Sequence, residues 1–202
     1  AQIAEEQSQQ GNVDNAVAPA VLLTNHSARA EAFAGMVKEQ AAKIETAELQ
    51  DLVKKAEAAT DLIADDSCLD ATLSKLAAAQ GIAGRLDAAF LTLDSISDGV
   101  MRDLTEYEVG NAQVAAGKYA VVDRLKSPLA IIMVLGEAAF REAEAGHKLA
   151  ARQMIVDAGH FVQDVMPVLL AADAPRGMMD SAVRVLPLYL LMKAQVRSGD
   201  AA

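Results

Sequence analysis

Ala112-Gln113-Val114-Ala115-Ala116-Gly117-Lys118-Tyr119 decides how this chain is read, because its pattern recurs. It stands 33 residues earlier as Ala79-Gln80-Gly81-Ile82-Ala83-Gly84-Arg85-Leu86, and again near the end as Ala194-Gln195-Val196-Arg197-Ser198-Gly199-Asp200. Each copy is Ala-Gln, three residues rich in small or aliphatic side chains, then Gly, and each follows a run of helix formers. Glycine ends helices because it takes the left-handed conformation without a Cβ penalty. A spacing near 33 predicts a helix–turn–helix repeat.

The segments around these stretches complete a helical reading. Phe33, Met36, Val37, Gln40, Ala41 and Ile44 fall at helical spacing, so a helix is expected from a Ser27 cap to about Glu45. A second helix, capped by Thr46, is expected to run through Leu49, Leu52, Val53, Ala56 and Leu62 to Ile63 and close a hairpin. Further helices are predicted over 69–83, 86–96, 101–116 and 119–126. Ser127-Pro128 then opens a helix that runs to Ala145. Another follows from His147 to about Val165, where Pro167 ends or kinks it, and the last starts near Met178. Residues 1–26, with Gln, Asn and Pro19, read as an N-terminal arm. Residues 27–65 form an N-terminal helical hairpin and 66–202 one continuous run of repeats. The expected class is all-α.

Composition narrows the function. Hydrophobic residues make up 52 % of the 202, with 3 % aromatics and no Trp, so Ala, Leu, Val and Met fill the interior. The net charge of −10 opposes nucleic acid, which needs basic patches to release counterions, and opposes anionic membrane surfaces. The apolar runs 129–135 and 185–192 fall short of a membrane span. Cys68 is the single cysteine, read as a small buried or half-buried hydrophobe. The start Ala1-Gln2 before a Gln-rich tail looks like what signal-peptide removal leaves, which favours a periplasmic or secreted location.

No nucleophile elbow, phosphate-binding loop or dinucleotide fingerprint occurs in the sequence. Glu144 with His147, and Asp157 with His160, share helical faces, but a turn at Gly146 intervenes and a carboxylate-bridged metal site needs two facing helices with two further carboxylates. They are read as surface or groove histidines, and His26 as an ordinary flanking residue. No catalytic residue, metal or cofactor is assigned.

At these positions the chain resembles the tetratricopeptide-repeat family. Leu76, Ala77, Gly84 and Ala89 fit its pattern, as do Val109, Gly110, Gly117 and Val122. Leu135, Gly136, Gly146 and Ala151 fit a third copy, and Leu191, Met192, Ala194, Gly199 and Asp200 a terminal half-repeat. Gln80, Gln113 and Gln195 depart from it, standing where the family often has an aromatic. The resemblance implies a right-handed solenoid whose first helices line a concave groove for a partner peptide or helix. It places Tyr107, Asn111, Val114, Glu137, Phe140, Arg141, Tyr189, Lys193 and Arg197 on that groove. Asn111 matches a place where the family often holds a peptide backbone, but the Lys or Arg of its carboxylate clamp do not stand near it. The expected role is a non-enzymatic adaptor or scaffold that binds a protein partner. The alternatives are a helical bundle holding a small apolar ligand or a metal, and a structural subunit of a larger assembly.

Overall fold

The structure is a computed structural model that describes residues 13–64 and 68–171, with side chains described for 16–64 and 68–160. Among the described residues every regular element is helical. In chain order they are α1 (Val13–Val21), α2 (His26–Gln40), α3 (Thr46–Thr60), α4 (Leu69–Ile82), α5 (Leu86–Asp94), α6 (Gly99–Ala115), a 3₁₀ segment (Tyr119–Arg124), α7 (Pro128–Glu144) and α8 (Lys148–Ala171). The chain divides into two compact units between Ala112 and Gln113.

Gly84, Gly117 and Gly146 all lie just past helix ends, with φ of +76°, +75° and +85°. The amide of the glycine donates to a carbonyl three residues back, at Gly81, Val114 and Ala143. The next amide, of Arg85, Lys118 or His147, donates to the carbonyl of Gln80, Gln113 or Glu142 at 2.8–2.9 Å. This is one closure used three times, and it satisfies carbonyls that a helix end otherwise leaves bare. A basic residue follows the glycine each time, where the negative end of the helix dipole favours it.

The first unit contains two hairpins in succession, α2/α3 and α4/α5, with α1 packed on α2. Helix α4 also packs on both α2 and α3. Two contacts set the direction of α2 against α4: Ser27 Oγ lies 2.6 Å from Thr72 Oγ1, and Glu31 meets Lys75 at 2.5 Å. Both partners advance together along the chain, so the two helices run parallel. The same holds for α4 and α6, through Ser74–Thr105 at 2.7 Å and the close approach of Gly81 to Val109. The core beneath is Phe33, Met36, Val37, Leu49, Leu52, Val53 and Leu76, joined by Ala16 and Ala20 of α1. In the second unit α7 packs on α8 and on the 3₁₀ segment.

Several boundaries differ from the sequence reading. Residues 13–21 are helical rather than an extended arm, with Ala16 and Ala20 at 0 % exposure. The burial of this i, i+4 pair outweighs the helix-breaking tendency of Pro19. Val21 and Leu22 are exposed, at 52 % and 79 %. Asn25, not Ser27, caps α2 by accepting from the Ala28 amide at 2.9 Å. Helix α2 stops at Gln40, whose carbonyl receives the amides of both Lys43 and Ile44, and Ile44 turns onto the core. Helix α3 begins at Thr46 itself, after Glu45. The segment after Gly117 is a single 3₁₀ stretch that ends at Arg124, because Leu125 turns extended just ahead of the Ser127-Pro128 start. Ser127 does cap α7, accepting from the Ala130 amide at 3.3 Å. Helix α8 continues through Pro167 to Ala171. Cys68 is exposed at the start of α4, not buried. The helix expected from Met178 lies outside the described residues.

Candidate partner-binding cleft

Successive parallel helices leave a cleft of about 710 Å³ in the first unit. Helix α2 contributes Glu31, Ala32, Gly35, Lys38 and Glu39, spaced so that one face repeats every three to four residues. Helix α4 contributes Ala71, Ser74, Lys75, Ala78 and Ile82 on the same spacing. Met101 and Glu108, two turns apart on α6, form the third wall. The walls are fixed to one another by Glu31–Lys75 across α2 and α4, and by Ser74–Thr105 across α4 and α6. Gly81 lets α6 come close: a Cβ there would stand 3.2 Å from the Val109 Cα.

Beside the cleft, the recurring Gln acquires a structural meaning. Gln80 is 3 % exposed, and both ends of its amide are used. Its Nε2 donates to Glu57 Oε1 at 2.7 Å, and its Oε1 accepts from Thr92 Oγ1 at 2.8 Å. Arg85, the basic residue after Gly84, donates to the other Glu57 oxygen at 2.7 Å. One buried amide therefore ties α3, α4 and α5 together, with the polar satisfaction that burial demands.

Glu142 takes the corresponding place in the second unit. Tyr119 Oη donates to Glu142 Oε1 at 2.5 Å, and His147 Nδ1 lies 2.8 Å from Glu142 Oε2. The Tyr119 bond is the main cause that holds the Glu142 carboxyl below its ordinary value of 4.5, with the His147 bond and charge adding to it. The same bond raises the Tyr119 phenol above its ordinary 10.0. A lowered carboxyl adds stability above its unfolded pKa and loses it as pH falls through the folded one; a raised phenol adds stability below pH 10 and loses it above. Tyr119→Phe is therefore expected to cost about 1–2 kcal/mol at pH 7. The difference from wild type shrinks below pH 4.5 and again on alkaline ionisation of the phenol. Urea unfolding across that range checks it.

Among the described residues, none of those assigned to a groove by resemblance lines the cleft. Tyr107 and Asn111 lie on α6 and are half-buried, with Asn111 Oδ1 shielded from solvent and lacking a hydrogen-bond partner. Val114 is 1 % exposed, which removes it from any open surface. Glu137, Phe140 and Arg141 share a half-buried face of α7 in the second unit, where Arg141 Nε meets Glu137 Oε1 at 3.2 Å. Tyr189, Lys193 and Arg197 lie outside the described residues. The cleft residues Gly35, Ala71 and Ala78 were missed, although a mid-helix glycine and a small-residue face at helical spacing are both readable signals.

His147 Nδ1 lies 2.8 Å from Glu142 Oε2, and Asp157 accepts from Gln153 at 2.8 Å. Among the described residues no group of three or more His, Cys, Asp or Glu is placed to hold a metal. A smaller cavity of about 290 Å³ is lined by Thr24, His26, Leu62 and Cys68, and His26 Nδ1 is shielded there without a partner. Among the described residues no helix is long and apolar enough to cross a membrane. No protein-family model, no curated protein and no solved structure matches the chain.

Proposed function

We propose that this chain is a non-enzymatic helical-repeat adaptor that binds a protein partner along the first helices of its hairpins. The carrying observation is the cleft whose three walls are α2, α4 and α6. In an up-and-down bundle, adjacent helices alternate in direction. Here helices separated by a full hairpin lie side by side and parallel, which is how hairpins stack when each covers the apolar face of the one before. The three repeated glycine closures support the same reading, a divergent tetratricopeptide-like solenoid. Its open first-helix face is the surface such an array presents to a partner.

A photo-crosslinking residue placed at Ala78, in the cleft, is expected to capture a defined partner that the same residue at Leu91, on the exposed side of α5, does not. The affinity of that identified partner is then expected to fall at least about tenfold in Ala78→Arg, the loss of a central contact. An unchanged affinity removes the cleft from the proposal.

A further inference from the structure

The geometry points to an amphipathic helix with a basic end as the occupant of this cleft. The inference rests on the adaptor reading and specifies its partner.

Gly35 stands in the interior of α2, where glycine is a poor helix former. Inside this chain nothing requires it, since a Cβ there would meet no atom within 4 Å. Gly81 differs, because Val109 occupies the space its side chain would need. Gly159 in α8 is also unopposed, so an empty neighbourhood alone marks no site. At Gly35 the empty space is the wall of the cleft, and it leaves room for an outside chain to approach the α2 backbone.

The form of the occupant follows from what the walls can offer. All three are helices, whose mid-helix amides and carbonyls are already bonded within the helix. An extended peptide would find no ladder there, whereas a helix brings its own hydrogen bonds and needs only an apolar edge to bury. A volume of about 710 Å³ accepts such an edge against Gly35, Ala78 and Met101.

Charge sets the direction. Lys75 is engaged by Glu31 across the cleft at 2.5 Å. Glu39 and Glu108 add two carboxylates to the lining, against Lys38. Lys38, Glu39 and Ile82 belong to the last turns of α2 and α4, so two helix C-termini place their negative ends there as well. The chain as a whole carries −10. A Lys or Arg on the partner complements this end and steers its approach.

The test uses three fluorescent helical peptides of about 15 residues that share a leucine stripe and differ at one end, with lysines, glutamines or glutamates. The full chain should bind the lysine peptide at least about tenfold more tightly than its glutamate twin. That advantage should fall at least about fivefold in Glu39→Gln/Glu108→Gln and stay unchanged in Glu48→Gln/Asp61→Asn, a control pair outside the cleft. Gly35→Leu should abolish binding without lowering the melting temperature. If all three peptides bind alike and Gly35→Leu abolishes all of them, the charge inference is overturned and the adaptor reading stands. If none binds, or if the lysine peptide binds Gly35→Leu as it binds wild type, the inference is overturned. Whether the adaptor reading falls with it is decided by the Ala78→Arg measurement on the crosslinked partner.

Discussion

Phe33→Ala is expected to lower the free energy of unfolding by about 3–5 kcal/mol, a large share of the roughly 5–15 kcal/mol that holds a domain folded. Phe33 is 2 % exposed and heads the largest fully buried side chains. It sits in a cluster built otherwise from aliphatic side chains and alanines of α1, α2, α3 and α4. A chain with four phenylalanines and no tryptophan has few other ways to fill that volume. Its neighbours Ala16, Ala20, Ala34 and Ala56 are too short to collapse into the hole, so the cavity cost adds to the lost transfer energy. Urea unfolding followed by circular dichroism measures the effect. A loss below about 1 kcal/mol would mean that this cluster does not hold the first unit together.

Gly81→Leu carries the second large effect. The Cβ alone would stand 3.2 Å from both the Cα and Cγ1 of Val109 and 3.3 Å from its Cγ2. The Cα is backbone and cannot step aside by a rotamer change, so α6 must move away from α4. Overpacking of this kind costs typically about 1–3 kcal/mol, against a gain of about 0.8 kcal/mol from removing a helix-interior glycine. A net loss of about 1 kcal/mol, and at most about 2, is expected in urea unfolding. The same movement would separate Ser74 from Thr105, now 2.7 Å apart, and displace two walls of the cleft. Gly35→Leu should not lower stability, since a Cβ there meets no atom within 4 Å and the position faces the open cleft. Two glycines, each inside a helix that borders the cleft, thus respond in opposite directions to one substitution.

Most helix positions were legible from residues close in sequence. The Gly84, Gly117 and Gly146 closures involve only the last turn of a helix and the two residues after it. The Ser127-Pro128 start is equally local, a side-chain oxygen bonding an amide three residues on. Helix α1 was not legible, because Pro19 and the polar stretch before Ala16 argue against a helix, and only burial of Ala16 and Ala20 overrides them. The candidate site was less legible than the fold. Asn111 and Arg141 were singled out by pattern, yet the cleft combines small residues such as Gly35, Ala71 and Ala78 with charged side chains such as Glu39 and Glu108 from three different helices, a set that no single stretch of sequence brings together.

By itself, then, the sequence determined that the chain is helical and where three of its helices stop, since glycine at a positive φ is a local requirement that no distant contact needs to supply. Only the tertiary structure decided that α2, α4 and α6 lie parallel and enclose a cleft. That arrangement depends on contacts such as Ser27–Thr72 and Glu31–Lys75, whose partners are 45 and 44 residues apart. Helical periodicity says which face of a helix is apolar, but not which other helix will cover it.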